Sequence, residues 1–208
     1  MITDIRRLSD GDDLGTVAEL IYEADNFVFP YLFNGNKALA QQVLMSMMHL
    51  DTVYKKENIY VALMGEQIVG VMVVPETPIK IDVATYALAF ESAGAMLDES
   101  FERVMREYYF PLENEGKGYF IANLCVGEMW RGQGIAGMLL THVMSMLDSK
   151  KDIYLECIST NSSAISIYHT YGFETLFEYA GFTTKTYTKL IKRGKSEQIR
   201  YENEDTIV

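Results

Sequence analysis

The stretch from Tyr119 to Phe173 constrains this chain more than any other. It reads YFIANLCV, GEMWRGQGIAG, MLLTHVMSMLDS, IYLECIST and then NSSAISIYHTYGF. The first piece is an apolar run of strand length. The second is a turn holding Gly132, Gly134 and Ala136 beside Arg131. The third carries Ile135, Met138, Leu139, Val143, Met146 and Leu147 at helical spacing, and the fourth is strand-like again. Strand, glycine turn, helix, strand is a βαβ unit with a tight first turn. A helix that begins straight after such a turn points unpaired N–H groups and the positive end of its dipole at one spot, which attracts anions. Glycines let backbone approach a phosphate closely, and Arg131 adds a forked, charged donor. Many βα turns hold glycines for packing alone, so this turn by itself does not decide a function.

A second pattern narrows the choice. The turn is Arg131-x-x-Gly134-x-Ala136, and after the next strand comes Asn161-x-x-Ala164-x-x-x-Tyr168-x-x-x-Gly172-Phe173. Together they resemble the GCN5-related N-acetyltransferase (GNAT) superfamily. The first matches its acetyl-CoA pyrophosphate loop, [QR]-x-x-G-x-[GA], and the second the Asn…Ala…Tyr…Gly-Phe pattern after its fifth strand. The resemblance is sharp over about a quarter of the chain.

It implies an α/β (α+β) fold: a mixed, mostly antiparallel sheet of about seven strands, helices on both faces, and fourth and fifth strands that splay apart. The pantetheine arm of acetyl-CoA would lie in that V and pair with the main chain of Leu124, Cys125 and Val126 like an added strand. The Val126 N–H would donate to the thioester carbonyl as negative charge develops. The pyrophosphate would rest on the amides of Arg131, Gly132, Gln133, Gly134, Ile135 and Ala136. Asn161 would hydrogen-bond the pantetheine, with Ala164 beside it. From the residue alone, Asn161 is equally a helix N-cap. Tyr168 would protonate the departing thiolate, since a phenol with a pKa near 10 is a protonated donor at neutral pH. Acetyl-CoA is then the cosubstrate, and the reaction is direct attack by an amine without metal. The base that takes the amine's proton is left open among Glu23, Asp25, Glu113, Glu115 and Glu128, while Glu156 reads as structural.

The rest of the chain fits one domain over 1–192 and a polar tail over 193–208. Ile2 to Leu8 reads as an edge strand, and Leu14, Val17, Ala18, Leu20 and Ile21 as a helix face. Asn26 to Asn36, broken by Pro30 and Gly35, reads as a loop or helix break. Its Phe27, Phe29, Tyr31 and Phe33 are candidate walls of the acceptor pocket. Lys37 to Leu50 is a second helix, and Asn58 to Val74 a hairpin turning at Gly65. Residues 81–112 hold two helical patterns, Val83 to Phe90 and Met96 to Tyr109, the second ended by Pro111. They form an insertion that either shapes specificity or makes a homodimer surface. Glu174 to Phe182 and Lys185 to Ile191 read as the last two strands.

Cys125 and Cys157, the only cysteines, sit in strand patterns and read as reduced core thiols. The net charge of −11 argues against a nucleic-acid partner and favours a cationic or neutral acceptor, with a tilt towards the cationic. No run of about twenty apolar residues spans a membrane, and the polar start points to the cytoplasm. The function expected is acetyl transfer to a small-molecule amine. The alternatives are a protein N-terminal or lysine acetyltransferase, a non-catalytic acyl-CoA-binding module, and a nucleotide-binding βαβ protein. The last is disfavoured because the loop lacks the Gly-Lys-Ser/Thr end of a P-loop.

Overall fold

A computed structural model describes residues 2–25, 27–97, 99–104, 116–181 and 185–195. Two sheets share the strand that runs through Gly118 to Val126. In one, β1 (Asp4–Arg7), β2 (Ile59–Met64) and β3 (Gln67–Val73) are antiparallel neighbours, and β6 (Asn123–Val126) lies beyond β3. In the other the order is β4 (Glu76–Thr77), β5 (Gly118–Ile121), β7 (Asp152–Ile158), β9 (Thr186–Lys192) and β8 (Glu174–Ala180). Among the described residues only β5 and β7 run parallel. The seven strands expected correspond to these segments once β5 and β6 are joined as the fourth and the two-residue β4 is set aside.

The division of the fourth strand has a local cause. Tyr119 faces Glu76 in one sheet and Asn123 faces Val73 in the other. Four steps along one strand therefore match three along its partner, so the strand carries one extra residue. The bulge lies at Ala122, whose N–H donates to the Val73 carbonyl at 2.9 Å. Side-chain direction changes there: Tyr119 and Ile121 join the core on one face of the sheet, whereas Leu124 and Val126 share that face after it and Cys125 joins the other. Pairing with β7 stops at Ile121–Leu155, and beyond that point β6 follows β3 while β7 follows β9. The two strands part into a V.

Helices cover both faces. On one side lie α1 (Leu14–Ala24), α2 (Val28–Leu32), α3 (Lys37–Met47), α4 (Val83–Ser92) and α5 (Glu99–Val104). Asp13 caps α1 by accepting from the N–H groups of Gly15 and Thr16, and Val17, Ala18, Leu20 and Ile21 are buried beneath it. On the other side lie α6 (Ile135–Met146), which buries Ile135, Leu139, Leu140 and Val143, and α7 (Ser162–Thr170). Gly70 in β3 gives α6 its seat, since a Cβ there would press on Leu139 and Ile135 at 3.2 and 3.4 Å.

The segment read as a loop, Asn26 to Asn36, contains the short helix α2. Pro30 is in its first turn, where a missing N–H forfeits no intrahelical bond. Asp25 Oδ1 accepts from the N–H groups of Phe27 and Val28 at 2.8 and 2.7 Å, which starts the helix. Of the insertion, α4 packs on α3 and α5 on α2. Phe90 stacks on Phe33 with ring centres 5.5 Å apart, and Phe101 meets Tyr86 and Phe90. The insertion thereby buttresses α2 from outside. Pro111, Glu113 and Glu115 and most of the tail lie outside the described residues.

Candidate active site

The V between β6 and β7 is a cavity of about 450 Å³, and its walls include Ile121 to Leu124, Glu156 to Ile158, Asn161, Ala164 and Tyr168. Ala24, Asp25, Phe27 and Tyr187 close one side. Ladder geometry shows what β6 offers to it. Gly127 N–H donates to the Val69 carbonyl, so 127/69, 125/71 and 123/73 are the hydrogen-bonded pairs of this antiparallel ladder. The main-chain groups of Cys125 are thus spent on β3. Those of Leu124 and Val126 point to the open edge. One of them is taken: Arg131 Nε donates to the Val126 carbonyl at 3.0 Å, leaving the Val126 and Leu124 N–H groups on the crevice side.

The glycine turn follows β6 in the chain, after the single 3₁₀ turn Glu128–Trp130. Gly132 and Gly134 have φ of +75° and +78°, a left-handed conformation that glycine adopts without strain. Gly134 is the N-cap of α6, so the N–H groups of Ile135, Ala136 and Gly137 lack intrahelical partners, the first return bond being Met138 N–H to the Gly134 carbonyl. A Cβ at Gly132 would meet nothing within 4 Å, so the turn is open to a ligand. Arg131 and Gln133 are exposed beside it. The open amides of the turn suit a diphosphate, and the parted strands suit an extended arm.

Asn161 fills the role open from its type alone: it caps α7, its Oδ1 accepting from the Ala164 N–H at 3.1 Å. Its amide N–H₂ remains for a ligand. Tyr168 lies on α7, edge-on to Phe173 with ring centres 5.8 Å apart. Its hydroxyl has no hydrogen-bond partner among the described residues, and burial pushes its pKa above the ordinary phenol value, with nearby Cys157 adding to the rise. Cys157 is not the core thiol expected. It is half-buried on the crevice wall, and burial raises its pKa to about 11, which keeps it a neutral thiol. Cys125 is buried as expected, with a pKa raised to about 11 by desolvation.

Two carboxylates face the cavity. Asp25 uses one oxygen to start α2, and burial raises its pKa. Glu156, read as merely structural, has a side chain only 4% exposed. It accepts from the Tyr179 hydroxyl at 2.6 Å and lies 3.7 Å from Lys189 Nζ. Burial raises its pKa, and the Tyr179 bond opposes that rise. The alternation in β7 puts Tyr154 and Glu156 on the α1 face and Leu155 and Cys157 on the α7 face. Other candidate bases are elsewhere: Glu23 pairs with Lys37 at 3.1 Å, and Glu128 is exposed outside the cavity. Of the four aromatics proposed as pocket walls only Phe27 is one. Phe29 and Phe33 are buried in the core, and Tyr31 packs under the Arg103 guanidinium.

The family model described as "Acetyltransferase (GNAT) family" matches residues 29–173, most of the chain. The chain belongs to the GNAT family. The GNAT fold is also what it shares with solved structures. An N-acetyltransferase from Staphylococcus aureus Mu50 aligns with a TM-score of 0.68 at 20% identity, over 91% of this chain and 100% of that one. The "histone acetyltransferase HPA2 and related acetyltransferase" from Corynebacterium glutamicum aligns with a TM-score of 0.65 at 18% identity, over 96% and 100%. The NatC complex bound to Gag peptide and CoA contains a chain similar at a TM-score of 0.53 and 17% identity, over 94% and 100%. No curated protein matches this GNAT chain by sequence.

Proposed function

We propose that this GNAT protein moves the acetyl group of acetyl-CoA to the nitrogen of a small, cationic primary amine by direct attack. The observation that carries the reading is the parting of β6 and β7, with Tyr168 on one face of the sheet and Glu156 and Asp25 on the other. CoA in the similar NatC complex supports the same ligand here. The pyrophosphate sits on the amides between Arg131 and Ala136, and Asn161 and Ala164 flank the arm. The N–H groups of Leu124 and Val126 meet the arm from β6, and the one abreast of the thioester carbonyl stabilises its developing negative charge.

The acceptor enters from the α1 face. Its nitrogen forms a bond to the thioester carbonyl carbon while the carbon–sulfur bond breaks. Glu156 takes the proton the amine sheds, and Tyr168 gives one to the departing thiolate. The Asp25 carboxylate on the cavity wall suits a cation. Lys185 Nζ lies over the Phe27 ring at 4.8 Å, so that wall of the acceptor end is held from outside by the residue just before β9. A wall held in this way favours a small amine over a polypeptide.

A thiol-release assay over an amine panel is the test. Spermidine, tyramine, kanamycin and a free-N-terminal tetrapeptide cover the classes. Rapid release with a small polycation and slow release with the tetrapeptide is expected. Acetyl-CoA binding without acceptor-dependent release across the panel would instead favour a non-catalytic acyl-CoA-binding module.

A further inference from the structure

Asn123 carries a side-chain oxygen that no group among the described residues satisfies. The residue is only 7% exposed, lines the cavity, and stands where the fourth strand leaves one sheet for the other. A buried amide oxygen without a partner costs free energy, and a donor within the cavity recovers that cost. The bulge at Ala122 settles the direction in which Asn123 points. Cys125, two residues on, faces the α1 side, and so does Ala122 before it. Asn123 therefore points to that side too, with Asp25 and Glu156 and away from Tyr168 and Cys157. Without the extra residue it would face the opposite core.

We infer that Asn123 orients the acceptor, its Oδ1 accepting an N–H of the attacking amine. This rests on the acetyl-transfer reading of the crevice. A primary amine has two N–H bonds once neutral. One hydrogen leaves to Glu156 as the nitrogen–carbon bond forms and the carbon–sulfur bond breaks. The second points to Asn123, which turns the nitrogen lone pair towards the carbonyl carbon. The arrangement demands an amine with two hydrogens, and so selects primary over secondary amines.

Asn123→Leu separates this role from a structural one, because the two predict opposite changes in stability. Leucine nearly matches the volume and removes the unsatisfied oxygen. The melting temperature should rise by about 2–4 °C. The dissociation constant for acetyl-CoA should stay within about twofold. The kcat/KM for the best primary amine of the panel above should fall by about ten- to a hundredfold. Loss of stability and activity together would mark Asn123 as structural and overturn the inference, as would unchanged kcat/KM. If leucine does not fit, Asn123→Ala removes the amide without added bulk and is read on activity alone, where retained kcat/KM overturns it. A wild-type protein that binds acetyl-CoA yet acetylates nothing in the panel fails at the earlier step and takes this inference with it. A fully active wild type with an equally active variant fails only here.

Discussion

At the scale of single residues, the proposed acid, Tyr168, and the proposed base, Glu156, lie on opposite faces of the sheet. Cys157 and Tyr168 share the α7 side, while Glu156 faces α1. Tyr168→Phe keeps the ring's contact with Phe173 and removes only the proton donor. Acetyl-CoA affinity by calorimetry should be unchanged and kcat lower by about ten- to a thousandfold; wild-type turnover would remove Tyr168 from the mechanism. Glu156→Gln keeps the shape and abolishes the base, with an expected loss in kcat of about a hundredfold or more. The wild-type pH profile has a definite sign. Glu156 must be ionised to act, so kcat/KM falls as pH drops through its pKa. Because burial raises that pKa, the acid limb should lie above the usual range near 4.3 and disappear in Glu156→Gln. A limb at or below 4.3 would point to an exposed carboxylate. Glu156 was hard to read from sequence because a strand carboxylate is usually a solvated or paired one. Only its burial beside Tyr179 and its face of the sheet mark it out.

Among the elements, the glycine turn and α6 were the most legible, because Gly134 and the apolar spacing from Ile135 onward state both the turn and the helix. The structure adds that Gly134 is left-handed. Gly134→Ala should then cost about 1–2 kcal/mol in the turn. It should weaken acetyl-CoA binding by about tenfold in a calorimetric titration, with a melting point lower by a few degrees. Unchanged affinity would mean that the turn does not hold the ligand. The bulge at Ala122 was not legible. Nothing in the run YFIANLCV distinguishes one bent strand from a straight one, since the extra residue is defined only against Val73 and Glu76 on the neighbouring strand. The short helix α2 was hidden for a related reason. Pro30 and Gly35 signal a break when read locally and outweigh the local cap from Asp25, while the stack of Phe33 on Phe90 depends on a tertiary partner.

For the whole molecule, family and fold were readable from two short patterns because each includes a cap or left-handed position where few residue types serve: Gly134 before α6, and Asn161 and Gly172 at the two ends of α7. The identity of the acceptor was not, since the cavity walls come from the end of α1, the α1–α2 connection, β7 and β9, which are distant in sequence. The net charge of −11 acts at this scale. It attracts a cationic acceptor and repels the phosphates of acetyl-CoA, and salt screens both over a Debye length of about 10 Å at 0.1 M. Raising sodium chloride from about 20 to 300 mM should increase KM for spermidine and decrease KM for acetyl-CoA. Movement of both in the same direction would show that the summed field does not steer the substrates. The central claim is that one parted pair of strands and one glycine turn hold acetyl-CoA. A crystal structure of the protein with CoA tests it most directly. The account predicts the diphosphate on the amides between Arg131 and Ala136 and the thiol arm between β6 and β7, its sulfur near Tyr168. Density for CoA elsewhere, with that crevice closed, would contradict it.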